Sequence, residues 1–312
     1  MKFDFIELCK KTIWLRHAQL IINDYYKKDP FKVPVHMAIG HEALAVAVDA
    51  NFYEHDSLFL THRNIHFNLV RQETLNEELN EYYLSQNGLA NGHLGSMNLS
   101  NPAKGVQYTS SILGNNMPIA CGYALANKAK DIPAVTFVVT GDGAIEEGSF
   151  YESLLFMKTY ELPVILIIEN NNWSLATSID ERRQQIDFKT LAKSLNIDFV
   201  SLDGNDVIEY SRKIDKIRSQ SLQRKAPILI EVQLTTLGYR YIYNEDFPNG
   251  KFINYHSGPA PQVSKSSNKS YPVINRDNSD PLHVLSRYYS PSELISLSDE
   301  MLKNLNLELA SA

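Results

Sequence analysis

Apolar residues fall into two kinds of run along this chain. In residues 3–26 and 74–86 they recur at helical spacing and predict amphipathic helices, the second ended by Asn87-Gly88. "HEALAVAVDANF" (41–52), directly after Gly40, and "NNMPIACGYALANKAK" (115–130), built on small residues, predict buried helices. Other runs are unbroken and rich in β-branched residues, 134–140 and 164–168, and predict strands covered on both faces. The stretches 198–204 and 226–234 predict two further strands. "EEGSFYESLLFMKTYE" between the first two is helical through Phe150, Leu154, Leu155 and Met157, and Pro163 opens the second strand. A further helix separates the last two strands. Strands alternating with helices predict an α/β, doubly wound, mostly parallel sheet with ligands at the carboxyl ends of its strands. Residues 88–111, rich in Gly, Asn and Ser, make a long irregular segment of the kind that is functional or disordered. The expected organisation is one α/β domain over 1–262 with an N-terminal helical extension. A linker and a short helical tail then occupy 263–312.

Composition narrows the class. The chain has 312 residues, 44% hydrophobic and 21% charged, as in a soluble globular protein. A net charge of −6 gives no electrostatic footprint for nucleic acid or anionic membrane. Cys9 and Cys121 are its two cysteines, without metal-ligand spacing, which points to a reducing compartment. The first 20 residues lack the apolar core of a signal peptide, and no run reaches the length of a membrane span. The expected location is the cytoplasm.

The chemistry sits where two strands end. "GDG" (141–143) follows the first strand and Asn170, Asn171 and Asn172 follow the second. In a parallel sheet both ends lie on one edge, so a carboxylate and a carboxamide oxygen meet there. That donor set suits Mg²⁺ or Ca²⁺ rather than zinc. Gly141 and Gly143 let backbone approach a bound group, and the helix beginning near Ala144 offers free N–H groups to an anion. A metal beside a helix N-terminus points to a phosphorylated ligand.

"GDGAIEEGSFYESLLFMKTYELPVILIIENN" closely resembles the thiamine diphosphate motif of the α subunits of 2-oxo acid dehydrogenase E1 components, with Asp142 and Asn171 separated by 29 residues. The resemblance runs from about residue 12 to the C-terminus. It includes "IGHEALAVAV", "THRNIHFN", "NGHLGSMNLS", "SSILGNNMPIACGYALA", "VSLDGNDV", "LIEVQLTTLGYR" and "SDPLHVLSRYY". It implies a diphosphate-binding (PP-type) fold that uses thiamine diphosphate and Mg²⁺, with Ca²⁺ or Mn²⁺ as alternative ions. The implied metal ligands are Asp142, Asn171 and the carbonyl of Trp173, leaving Asn170 and Asn172 as turn residues. Gly141, Gly143 and Ala144 line the cofactor, Arg63 and His62 face its diphosphate with Arg240 as a further arginine, and Ser111 and Leu113 contact its pyrimidine.

Two departures stand out. Ile65 occupies the place of the family's histidine after Arg63, and His66 is displaced by one. His256 comes 16 residues after Arg240, in "YHSGPAP", an arrangement closer to the first half of transketolases, as is Gly92-His93. His256, His62 and His93 are therefore the candidate catalytic residues. The glutamate that activates the cofactor belongs, in this superfamily, to a second, pyrimidine-binding domain. Only about 50 residues follow "HSGPAP". The expected protein is half an enzyme, completed by a β-type subunit in an α₂β₂ assembly. Its substrate is a 2-oxo acid with a lipoyl carrier as possible acceptor, or a sugar in a split transketolase. A non-catalytic homologue that binds a partner is the other alternative.

Overall fold

The computed structural model describes residues 3–260 and 271–311. Helix α1 (Phe5–Lys28) opens at Asp4, whose carboxylate accepts from the backbone N–H of Ile6 at 2.9 Å and of Glu7 at 3.3 Å. Then come α2 (Glu42–Asp49), β1 (Ser57–Thr61), α3 (Ile65–Gln72), α4 (Asn76–Tyr82), β2 (Val106–Ser110), α5 (Asn116–Ala129) and β3 (Thr136–Gly141). They are followed by α6 (Gly148–Thr159), β4 (Val164–Asn170), the short hairpin β5 (Trp173–Ser174) and β6 (Thr177–Ser178), α7 (Ile179–Arg182) and α8 (Phe188–Ser194). The last elements are β7 (Asp198–Leu202), α9 (Val207–Arg224), β8 (Ile228–Gln233), the hairpin β9 (Tyr239–Ile242) and β10 (Lys251–Asn254), α10 (Pro281–Leu285) and α11 (Pro291–Ala310).

Six strands form one parallel sheet in the order β2-β1-β3-β4-β8-β7. This is the doubly wound α/β sheet that the sequence predicts. Side chains alternate between its faces, and both faces are apolar. Phe137 and Val139 of β3, with Ile165 and Ile167 of β4, join the core that contains residues of α1, α2 and α9. Val138, Leu166 and Ile168 join a second core with residues of α5, α6 and α8. A strand buried on both sides needs an unbroken apolar run, which is what these segments have.

Four helices close in the same way before they hand the chain to a strand. Asp131, Glu161, Asn196 and Lys225 each take a left-handed backbone, with φ of 53°, 49°, 56° and 50°. The next residue's N–H then donates to a carbonyl five residues back: Ile132 to Asn127, Leu162 to Met157, Ile197 to Ala192 and Ala226 to Ser221. These are Schellman closures with an apolar residue tucked behind the turn.

Some elements escape the sequence pattern. Strands β1 and β2 and helix α3 lie in stretches predicted as neither. β2 is an outer strand of five residues inside the Gly/Asn-rich segment, too short to reveal its period. β4 extends to Asn170, which ends the strand and also starts the turn, its Oδ1 accepting from Asn172 N–H at 3.1 Å. Asn172 does turn the chain, with φ of 64°.

The expected boundary at 262/263 and the first part of the expected linker (263–280) lie outside the described residues. Residues 271–280 are held against the domain, with Pro272 O accepting from Arg16 Nη1 at 3.1 Å and the Tyr271 hydroxyl donating to Leu282 O at 2.6 Å. The C-terminal helix α11 is 20 residues long, longer than a short tail, and packs along α1. Fully buried Arg16 joins the two ends: Nε donates to Glu42 Oε1 at 2.6 Å and Nη2 to Asp280 Oδ1 at 3.0 Å. Among the described residues, no helix is long and apolar enough to cross a membrane.

Candidate active site

The carboxyl ends of β1, β3 and β4 open on one cleft. The turn after β1 delivers His62 and Arg63, the end of β3 delivers Gly141, Asp142, Gly143 and Ala144, and the end of β4 delivers Asn171 and Trp173. Leu113, after β2, and His256, after β10, complete the wall. Ten of the thirteen sequence-predicted site residues therefore meet in one cavity. Ser111 lies two residues from Leu113, exposed, with its N–H on Asn98 Oδ1 at 3.1 Å. Arg240 lines the adjoining pocket, which shares His256. His93 is exposed on a separate turn and does not line the cleft.

Asp142 is buried at the end of β3, and burial pushes its carboxyl above the usual range while the Arg182 guanidinium pulls it down. Arg182 Nη2 donates to Asp142 Oδ2 at 2.9 Å, so a cation of the protein itself already pairs with this carboxylate. Asn171 Oδ1 accepts from Trp173 N–H at 3.0 Å. A carboxylate, a carboxamide oxygen and a nearby backbone carbonyl form a hard-oxygen set, which fits Mg²⁺. The helix expected right after "GDG" starts later. A single 3₁₀ turn (Ala144–Glu146) intervenes and α6 begins at Gly148. Gly143 is required by packing, since a Cβ there would lie 2.6 Å from Ser174 Oγ.

Arg63 is the positive pole. It is buried, donates to the Met37 carbonyl, and among the described residues pairs with no carboxylate. A buried, unpaired guanidinium facing a cavity is costly unless an anion comes to it. That is the strongest sign that the cleft takes a phosphorylated ligand.

Three histidines surround this pole. The His36 ring packs edge-on against His62 (4.6 Å between centroids) and His256 (4.9 Å). Burial and then the Arg63 charge hold His62 down to about 4 and His256 to about 3, and burial takes His36 to about 2. All three are neutral at physiological pH, fit to give or take a hydrogen bond with a substrate oxygen. His36 was not singled out in the sequence. Its Nδ1 is buried without a partner.

The displaced His66 is fully buried and does not line the cleft itself, but bonds to Glu169, which does. Its Nε2 donates to Glu169 Oε1 at 2.9 Å, and His41 Nδ1 donates to the same oxygen at 3.1 Å. Burial alone would raise the Glu169 carboxyl, but His66 and His41 together outweigh it and hold it well below the usual range. Arg182, His41 and Glu169 were also missed, because each earns its place through a contact more than 35 residues away in sequence. "HMAIGH", with two histidines around Gly40, was the available signal.

Comparison with known proteins gives the geometry a lineage. Residues 10–243 match the dehydrogenase E1 component family. The α subunit of acetoin:2,6-dichlorophenolindophenol oxidoreductase from Bacillus subtilis is 30% identical over 229 residues, 71% of this chain and 69% of that protein. The mitochondrial pyruvate dehydrogenase E1 component α subunit of Saccharomyces cerevisiae is 25% identical over 240 residues, 77% of this chain and 55% of that one. Among solved structures, the transketolase of Campylobacter jejuni superposes with a TM-score of 0.62 at 16% identity, over 98% of this chain and 49% of that one. The chain thus spans about half to two thirds of these relatives, and the transketolase likeness is one of fold. The chain belongs to the dehydrogenase E1 component family.

Proposed function

We propose that this chain is the α-type subunit of a thiamine diphosphate- and Mg²⁺-dependent enzyme that breaks or forms a C–C bond next to a carbonyl, with a 2-oxo acid as substrate. The observation that carries the reading is the pairing of buried, uncompensated Arg63 with the Asp142–Asn171 oxygen corner in one cleft. In this reading Asp142, Asn171 and the Trp173 carbonyl hold Mg²⁺, and Arg63 neutralises the diphosphate that the metal leaves uncompensated. Leu113 supports the cofactor from below. Thiamine diphosphate supplies a carbon nucleophile and an electron sink for the bond beside the carbonyl. The neutral imidazoles of His36, His62 and His256 orient the substrate carbonyl and move its proton without adding charge beside Arg63.

A β-type, pyrimidine-binding subunit completes the site with its activating glutamate, in an α₂β₂ assembly, and a lipoyl group is the acceptor. Both named relatives are α subunits, which supports a partner. A second reading, a split transketolase acting on sugars, is favoured by the cluster His36–His62–His256 at the mouth of the site. The two separate when the chain and its partner are supplied with a 2-oxo acid or a ketose phosphate. CO₂ released from the 2-oxo acid supports the first, and transfer of a ketol unit to a labelled aldose without CO₂ overturns it.

A further inference from the structure

One buried hydrogen-bonded chain forms part of the cleft's wall through His41 and Glu169 and ends on the metal corner. Glu169 Oε1 accepts from both His66 and His41, as described above. On its other side, His41 Nε2 lies 2.8 Å from Thr236 Oγ1, and Asn171 Nδ2 lies 2.8 Å from that same hydroxyl oxygen. His41 and Thr236 are buried to 1% exposure. Their meeting depends on Gly40: a Cβ there would sit 2.2 Å from the Thr235 carbonyl, and Leu237 N–H donates to Ile39 O at 2.7 Å across the same contact.

The direction of every bond follows from donor and acceptor chemistry. A backbone N–H only donates, so the Asn171 atom facing Trp173 N–H is Oδ1, and the amide NH₂ donates to Thr236 Oγ1. The Thr236 hydroxyl keeps its own proton for His41 Nε2, 2.8 Å away. Thus Asn171 is locked with Nδ2 towards Thr236 and Oδ1 towards Trp173 N–H and the cleft. A carboxamide is nearly symmetric in shape, so fixing both its ends in advance spares the ion the cost of turning and ordering the amide.

We propose that Thr236 is a positioning residue for the metal: its hydroxyl, polarised by the Glu169–His41 pair, fixes the amide of Asn171 so that oxygen faces the divalent ion. The inference rests on reading Asn171 as a metal ligand, and groups one bond removed from a ligand commonly change metal affinity by about 10- to 100-fold.

The test uses the chain assembled with its β-type partner, with Mn²⁺ titrated in excess thiamine diphosphate and free Mn²⁺ followed by electron paramagnetic resonance. Thr236→Val and Thr236→Ala are expected to weaken Mn²⁺ binding about 10- to 100-fold. Thr236→Ser, which restores the hydroxyl, is expected to bind like wild type, and Asp142→Ala to abolish binding. Wild-type affinity in Thr236→Val, with Asp142→Ala inactive in binding, overturns the positioning role alone. Equal weakening in Ser and Val, or failure of both Val and Ala to fold while Ser folds normally, makes Thr236 a structural residue and also overturns it. Absence of Mn²⁺ binding in wild type, or binding unaffected by Asp142→Ala, overturns the metal-site reading itself.

Discussion

Arg182 and Asp142 form an ion pair across 2.9 Å where the turn after β3 meets α7. The same guanidinium donates to Glu146 Oε1 at 2.9 Å and to the Thr177 carbonyl at 2.7 Å, so the protein uses its charge fully. In R182Q the buried Asp142 loses its counter-ion. The ligand-free chain should lose about 3–5 kcal/mol of stability, the scale for breaking a buried pair. Arg182 and a divalent ion address one carboxylate, so Mg²⁺ with thiamine diphosphate should raise Tm more in R182Q than in wild type. Thermal melts with and without the ligands check this, and equal increments would show that cation and metal do not compete.

The asparagine run divides its duties. Asn171→Ala should abolish metal-dependent binding of thiamine diphosphate, measured by calorimetry. Asn172→Ala should leave binding intact and lower stability by about 1 kcal/mol, because Ala tolerates φ of 64° less well than Asn. Asn172→Gly should be neutral in both. A binding defect in Asn172→Ala larger than in Asn171→Ala would reverse the assignment.

Acid should destabilise the fold through the histidine cluster. The free imidazole titrates near 6.5, whereas His62 and His256 titrate at about 4 and about 3 in the folded chain. Below pH 6.5 the unfolded chain takes up protons that the folded chain refuses, so stability is complete above 6.5 and falls as pH drops towards 4. Each histidine contributes about 1–3 kcal/mol to that loss. Chemical denaturation from pH 7.5 to 4.5 should show a smaller loss in H62N and H256N than in wild type. Removing the neighbouring charge in R63Q should move the His62 titration upward, visible by NMR.

Glu81 organises the turn that carries His93. Its Oε2 accepts from the N–H of Ala90 (2.8 Å) and Gly92 (2.9 Å), and its Oε1 from Leu94 and Gly95 (2.9 Å each). Gln at this position keeps one acceptor oxygen and turns an NH₂ towards two donors. E81Q should loosen the turn by about 3 kcal/mol. Amides 90–95 should then exchange hydrogen roughly 100-fold faster, with the central strands unchanged. Unaltered exchange there would mean that the turn is held by other contacts.

What the sequence reveals about this molecule tracks how local each feature is. The strands β3 and β4, and the Asp142–Asn171 spacing, are legible because each depends on a run, a turn and a count within 40 residues. Arg63 is legible from the charge that a diphosphate would require. The outer strand β2 is hidden because five residues among glycines and asparagines show no period. Ile65 and His66 show what spacing alone misses. The ring displaced by one position enters α3 on its buried side and binds Glu169, 103 residues away, which no local pattern announces. The same holds for His36 and Thr236, whose ring and hydroxyl neighbours come from segments far away in sequence.

The four left-handed closures that precede β3, β4, β7 and β8 lie at the amino edge of the sheet, opposite the cleft. Asp131, Glu161 and Lys225 each hold a conformation that glycine takes without strain. Glycine at each should add about 0.5–1 kcal/mol, and Asn196 should gain least because asparagine already tolerates that backbone. Melting curves of the single and combined variants would reveal whether the increments add, as sites this far apart should. The molecule therefore offers a region for thermal hardening that is geographically separate from its chemistry, where robustness and turnover can be adjusted without trading one against the other.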